Sequence, residues 1–117
     1  MLTPPRVAIV ILNWNGKKYL EQFLPSVLAS TYSNFRVVIG DNASTDGSVE
    51  YLESYFPQVQ IIQNASNEGF AQGYNSVLKK VEADYYVLLN SDVEVRADWI
   101  DPVIGLMESD KQIGACQ

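Results

Sequence analysis

The chemically useful side chains of this sequence sit directly after runs of apolar residues. Asn90-Ser91-Asp92 follows Tyr85 to Leu89, Asp41-Asn42 follows Phe35 to Gly40, and Asn13-Trp14-Asn15-Gly16 follows Val7 to Leu12. A fourth polar segment, Asn67 to Asn75, contains Gly69 and Gly73. There is no histidine and one cysteine, Cys116, which excludes Ser-His-Asp and Cys-His catalysis and a cysteine-based zinc site. Carboxylates are left as the metal ligands, and oxygen donors suit hard ions. Each segment also has a plain structural reading. Asp92 can end a strand or cap a turn, and Thr45 and Asp46 can cap the helix after them. Trp14 can pack or stack, and Gly69 and Gly73 can serve a tight turn and close helix packing.

These groups act together only if the elements before them deliver them to one place. Val7 to Leu12 is an unbroken β-branched and aliphatic run, expected as a central strand. Leu20, Phe23, Leu24, Val27 and Leu28 repeat at helical spacing. Pro25 inside that pattern predicts a kink, or two short helices with the proline in the first turn of the second. Phe35 to Gly40 reads as a second strand, followed by a helix with Val49, Leu52 and Phe56 apolar and Pro57 as its stop. Val59 to Ile62 is a short third strand. The next helix is expected to bury Phe70, Tyr74, Val77, Leu78 and Val81. Tyr85 to Leu89 reads as a strand buried on both faces, and a last helix runs from about Asp98 to Glu108, with Trp99, Val103 and Met107 on one face. Strand and helix thus alternate four times, which predicts an α/β fold with a doubly wound, mainly parallel, Rossmann-like sheet and helices on both faces. Right-handed crossovers put all strand carboxyl ends on one rim. Asn13, Asn15, Asp41, Asn42, Asn64 and Asp92 should meet there, in the place where open α/β sheets bind ligands.

With 117 residues and 47% hydrophobic content the chain has room for one domain with a core. A formal charge of −6 argues against nucleic acid as a partner. Met1 to Arg6 lacks the apolar core of a signal peptide, and no run is long enough to span a membrane. Together with the lone cysteine, this leads to the expectation of a cytoplasmic protein. Gln112 to Gln117 reads like the opening of a further strand, so residues 1–117 are expected to be the first part of a longer protein.

Four segments resemble, in order, the motifs of family 2 glycosyltransferases with the GT-A fold. Asp41-Asn42-Ala43-Ser44-Thr45-Asp46-Gly47-Ser48 resembles the Asp-Asn-x-Ser-x-Asp-x-Ser signature, whose first Asp accepts the imide N–H of uracil or thymine. An ionised carboxylate is acceptor-only, as that contact requires, and adenine offers no imide donor. Asn13 and Asn15 match the first-strand terminus, where amides meet the base. Asn67-x-Gly69-Phe70-Ala71-x-Gly73-x-Asn75 is similar to a loop-to-helix segment that lies against the donor. Asn90-x-Asp92 resembles the family's Asp-x-Asp in an Asn-x-Asp variant, which implies Asp92 as ligand to a divalent cation, Mn²⁺ or Mg²⁺. One carboxylate of the usual pair is missing. The resemblance implies that residues 1–117 form the nucleotide-sugar-binding part of an inverting enzyme with a UDP- or dTDP-linked donor. A saccharide or lipid-linked acceptor would bind beyond residue 117, where the family also keeps its catalytic base, so no catalytic residue is assigned. The Asn-Trp-Asn and Asn-Ser-Asp variants look most like bacterial rhamnosyltransferases. Asp41 at a rim is expected to matter for binding and little for folding. A dinucleotide-binding domain is the rival enzyme class, but its Gly-x-Gly-x-x-Gly turn is absent, as is a Walker A loop. A non-catalytic nucleotide-binding or interaction domain of the same fold is the alternative outside enzymes.

Overall fold

In the computed structural model, residues 3–117 are described; Met1 and Leu2, part of the opening segment considered above as a signal peptide, lie outside the described residues. The strands are β1 (Val7–Asn13), β2 (Phe35–Asp41), β3 (Gln60–Gln63) and β4 (Tyr85–Leu89). The helices are α1 (Lys17–Leu28), α2 (Ser48–Tyr55), α3 (Phe70–Leu78) and α4 (Ile100–Ser109), one after each strand. All strand pairs are parallel and the sheet order is β3-β2-β1-β4. This is the doubly wound α/β arrangement expected from the alternation.

Alternation along β1 builds two cores. Val7, Ile9 and Ile11 join Leu20, Leu24 and Val27 of α1, Leu52 of α2, and Ile100 and Ile104 of α4 on one face. Ala8 and Val10 join Val38 of β2 and Tyr74, Val77 and Val81 from α3 and the turn after it on the other. Because β1 has a strand on each side and helices above and below, its core positions are almost wholly buried. Truncating one of them, such as Ile9, to alanine would cost about 2–5 kcal/mol.

Several local expectations need correction. The first helix is one helix that runs through Pro25 and not two short ones. Pro25 lies on its exposed side, where water can bond the Glu21 carbonyl left without an N–H donor. Strand β4 is not buried on both faces. It lies at the sheet edge, with Tyr85, Val87 and Leu89 packed on the first core, while Tyr86 and Leu88 (53% exposed) are open on the α3 side. Phe70 is 68% exposed, although its spacing matches the buried face of α3; it is the first residue of the helix, beyond the reach of the sheet below. In α4 the core is met by Ile100 and Ile104, while Val103 is exposed. No strand forms over Gln112 to Gln117.

Candidate functional site

From β1 the chain adds β2 and β3 on one side and β4 on the other, so the topological switch point, the usual ligand crevice of such sheets, lies between β1 and β4. Register puts Asn13 opposite Asp41 at the carboxyl rim. The Asn64 N–H donates to the Asp41 carbonyl at 2.8 Å and the Asn42 N–H to the Asn13 carbonyl at 2.8 Å, which carries the alignment past the strand ends. The Asn90–Asp92 loop comes back towards the first loop: a Cβ built on Gly16 would stand 3.7 Å from Ser91 Oγ. Thus the loops after all four strands meet along one edge.

The rim has an inner, buried layer. Asn13, Asp41, Asn42 and Asn64 are all buried, Asp41 to 1% exposure. Asp41 Oδ1 accepts from Asn13 Nδ2 at 2.9 Å, and Oδ2 accepts from the Ser44 N–H at 2.9 Å. Asn42 Oδ1 accepts from Asn64 Nδ2 at 2.7 Å, while Asn42 Nδ2 donates to the Gly69 carbonyl at 3.0 Å and to Asn67 Oδ1 at 3.3 Å. Among the described residues no buried side-chain polar atom lacks a partner. The expectation that Asp41 matters little for folding is therefore overturned. Its carboxylate holds the buried Asn13 amide, which also donates to Ser44 Oγ, and the part-buried Ser44 N–H, which has no other acceptor among the described residues. A carboxylate has about four acceptor positions, so each oxygen retains one beyond those used.

The outer layer ties the first two loops together. Ser44 Oγ accepts from Asn13 Nδ2 at 3.2 Å and from the Asn15 N–H at 2.9 Å, and the Thr45 N–H donates to Asn15 Oδ1 at 2.7 Å. Two non-glycine residues in these loops have positive φ, Asn15 at 50° and Ala43 at 59°. Such backbone is held only where surrounding contacts over-determine it. Asp46 caps two helices at once. Its Oδ2 accepts from the Lys17 N–H at the start of α1, and its Oδ1 accepts from the N–H and hydroxyl of Ser48 at the start of α2. Partial desolvation pushes the Asp46 carboxyl up, but bonds from the Ser48 hydroxyl and the Lys17 and Ser48 amides outweigh it and hold it below its ordinary value.

The remaining candidates divide by position. Gly73 packs under the inner layer, where a Cβ would meet Asn42 Nδ2 at 2.8 Å and Leu12 Cδ2 at 3.0 Å; its need for glycine is close packing. Gly69 is exposed, has φ of 79°, and has open space where a Cβ would go. Asn75 is exposed and lines a largely apolar groove of about 1100 Å³ beside β4, with Tyr86, Leu88, Val103 and Ile113. Trp14, Asn15, Asn90 and Asp92 are exposed, and no hydrogen bond to the Asp92 carboxylate is made by the described residues. No cluster of three or more metal-binding side chains forms among the described residues. Ser44, as the hub of the loop bonds, and Asn67 carry more of the geometry than their sequence signal as loop residues conveys. Tyr74 was read only as a core residue; a tyrosine on a buried helical face needs a partner for its hydroxyl, and that was the available signal.

The family profile described as Glycosyl transferase family 2 matches residues 8–117, so the chain belongs to that family. An uncharacterized glycosyltransferase of Haemophilus influenzae is 25% identical over 114 residues, covering 95% of this chain and 35% of that protein. Among solved structures, the mannosyltransferase PcManGT from Pyrobaculum calidifontis, in complex with GDP-Man and Mn²⁺, superimposes with a TM-score of 0.81 at 23% identity, over 96% of this chain and 34% of that one. S. aureus TarS 1-349 in complex with UDP-GlcNAc gives 0.79 at 19% identity, over 96% of this chain and 37% of that one. These likenesses establish a GT-A-like fold. The chain spans about a third of the length of the first curated relatives it matches. Among the described residues no helix is long and apolar enough to cross a membrane.

Proposed function

We propose that this chain is the donor-binding part of a glycosyltransferase that moves a sugar from a UDP- or dTDP-linked donor to a saccharide or lipid-linked acceptor with inversion. The observation that carries the reading is the convergence of four polar loops on the β1/β4 switch point in a chain of this family. Structural neighbours solved with a nucleotide sugar bound add support. Asp41 is assigned to the pyrimidine imide through a lone pair not used internally, with Asn13, Asn15 and Asn42 framing the base. Gly69 and the start of α3 face the donor, where helix amides favour negative charge; Gly73, Asn75 and Asn90 complete the donor-side set. The finer assignment to a rhamnosyl donor rests on the Asn-Trp-Asn and Asn-Ser-Asp variants alone.

Asp92 is assigned to a divalent cation, Mn²⁺ or Mg²⁺. An exposed carboxylate with no internal partner fits a hard ion that takes the rest of its shell from diphosphate oxygens and water. When bound, such an ion neutralises charge on the leaving diphosphate. The chain's own contribution is to hold the base, orient the diphosphate and keep the rim rigid. No carboxylate is assigned as the acceptor's general base; that group belongs to the part of the protein that binds the acceptor.

Calorimetry of UDP binding to residues 1–117, with and without Mn²⁺, tests the reading. Saturable binding strengthened by Mn²⁺ is expected. NAD binding in place of UDP binding moves the protein to the dinucleotide class, and absence of any nucleotide binding favours an interaction domain of the same fold.

A further inference from the structure

The two strands flanking the switch point part company before their neighbours do. Pairing of β1 with β4 ends at Ile11 opposite Leu89, whereas β1 and β2 stay in register to Asn13 opposite Asp41. The crevice therefore opens between two lips, Leu12–Asn13 on one side and Leu89–Asn90 on the other. One lip leads into the buried amide cluster, and the other into Asn90-Ser91-Asp92.

A single side chain spans the gap at its floor. The Tyr74 hydroxyl accepts from the Leu12 N–H at 3.4 Å and donates to the Leu89 carbonyl at 3.1 Å. Tyr74 is 4% exposed and its two hydroxyl contacts are part-buried, which limits competition from solvent. Its ring is held independently of the hydroxyl. Phe70 meets it edge to face with centroids 5.0 Å apart, and the next-door Gly73 seats α3 directly on Leu12 and Asn42. A phenol on a fixed ring is a spacer of fixed length. It reaches both lips from a helix packed on β1 and β2.

We propose that Tyr74 is a positioning residue whose hydroxyl sets the distance and alignment between the base-side lip at Leu12 and the diphosphate-side lip at Leu89. Each lip residue immediately precedes an assigned ligand-facing residue, Asn13 and Asn90. A ligand that bridges the crevice, held at one end by its base and at the other by its diphosphate and cation, feels the lip spacing. A ligand that occupies only the base side does not. The ligand half of this inference rests on the nucleotide-sugar reading; the lip-clamping half does not.

Tyr74→Phe keeps the ring and removes the hydroxyl, and the test compares it with the parent chain in two measurements. In amide hydrogen exchange, Leu12 and Asn90 to Asp92 should exchange faster, while Val38 and Ile39 in β2 keep parent rates. In calorimetry, uridine affinity should be unchanged while the Mn²⁺-dependent gain in UDP affinity falls by about five- to ten-fold, the scale on which hydrogen bonds contribute net free energy. Phe70→Ala, which removes the neighbouring ring but not the hydroxyl, should leave exchange at Asn90 to Asp92 as in the parent. Parent-like exchange at both lips in Tyr74→Phe overturns the inference, as does faster exchange spread evenly over the sheet. Local exchange changes with an undiminished Mn²⁺ gain overturn the positioning of ligand. If the parent binds no UDP yet the lips loosen locally in Tyr74→Phe, the clamp stands and the nucleotide-sugar reading falls.

Discussion

Asp41 shows how one side chain serves stability and recognition at once. Asp41→Ala leaves the part-buried Ser44 N–H without its acceptor and Asn13 Nδ2 with only its longer bond to Ser44 Oγ, and each lost hydrogen bond to a charged group is worth about 1.5–3 kcal/mol. The expected outcome is a lower urea midpoint at unchanged slope, accompanied by loss of UDP binding. Asp41→Asn retains an acceptor and should fold more nearly like the parent while still binding UDP more weakly. Equal UDP affinity in Asp41→Asn and parent would remove Asp41 from the base contact. Asp92 is the opposite case, exposed and with no hydrogen bond to its carboxylate among the described residues. Asp92→Asn should leave stability within about 0.5 kcal/mol and abolish the Mn²⁺-dependent gain in nucleotide-diphosphate binding, with uridine binding retained. A persistent gain would shift the cation to Glu94. For Asp46 the sign follows from a folded value below its ordinary one. Its contribution is fully present above the unfolded carboxylate value, about 3.9, and is lost as pH falls through the folded value. Asp46→Asn should therefore flatten the acid limb of a pH–stability curve and leave the curve near neutrality shallow, as in the parent.

At the scale of elements, the two α3 glycines separate packing from backbone conformation. Gly73→Ala pushes a methyl to 2.8 Å from Asn42 Nδ2, so α3 must lift off β1 or the amide must move. Overpacking of this kind costs about 1–3 kcal/mol, and the disturbed amide network should weaken nucleotide binding as well. Gly69→Ala meets no atoms but retains a φ of 79° with ψ of −170°, backbone that is essentially confined to glycine, a strain of about 1–3 kcal/mol for an L-residue. Chemical denaturation of both variants, with UDP titrations alongside, should show binding damaged more by Gly73→Ala than by Gly69→Ala. The elements themselves were legible in the sequence because apolar periodicity is local: β1, β2 and the four helices lie where their patterns predict, within a residue or two for most ends. What the pattern does not carry is who sits next to whom. Tyr85 to Leu89 has the composition of an inner strand, yet it lies at the edge, because burial belongs to neighbours and not to the run. For the same reason Phe70 looked like core, and Asp41 looked like a solvated rim residue although its carboxylate takes a donor from another segment, at Asn13. The candidate site was legible as a set of strand ends; its division into a buried brace and an exposed face was not.

At the scale of the whole molecule, binding and turnover are expected to separate. General-base assistance is typically worth about 10²–10⁴-fold, and positioning of the second substrate can supply about 7–11 kcal/mol. Neither is assigned to residues 1–117, so saturable, Mn²⁺-aided UDP or dTDP binding with at most slow donor hydrolysis is expected. Rapid transfer to a defined acceptor by the purified 117-residue chain would place the base within it. The braced rim bears on the character of that binding as well. The first and second loops are already joined through Ser44, Asn15 and Asp46, and the third through Asn42. A ligand arriving there has little left to order. Nucleotide association should then proceed without a slow rearrangement, with a small entropic penalty from the protein and little change in loop exchange rates. Differences in affinity among nucleotides should accordingly reside in how fast they leave.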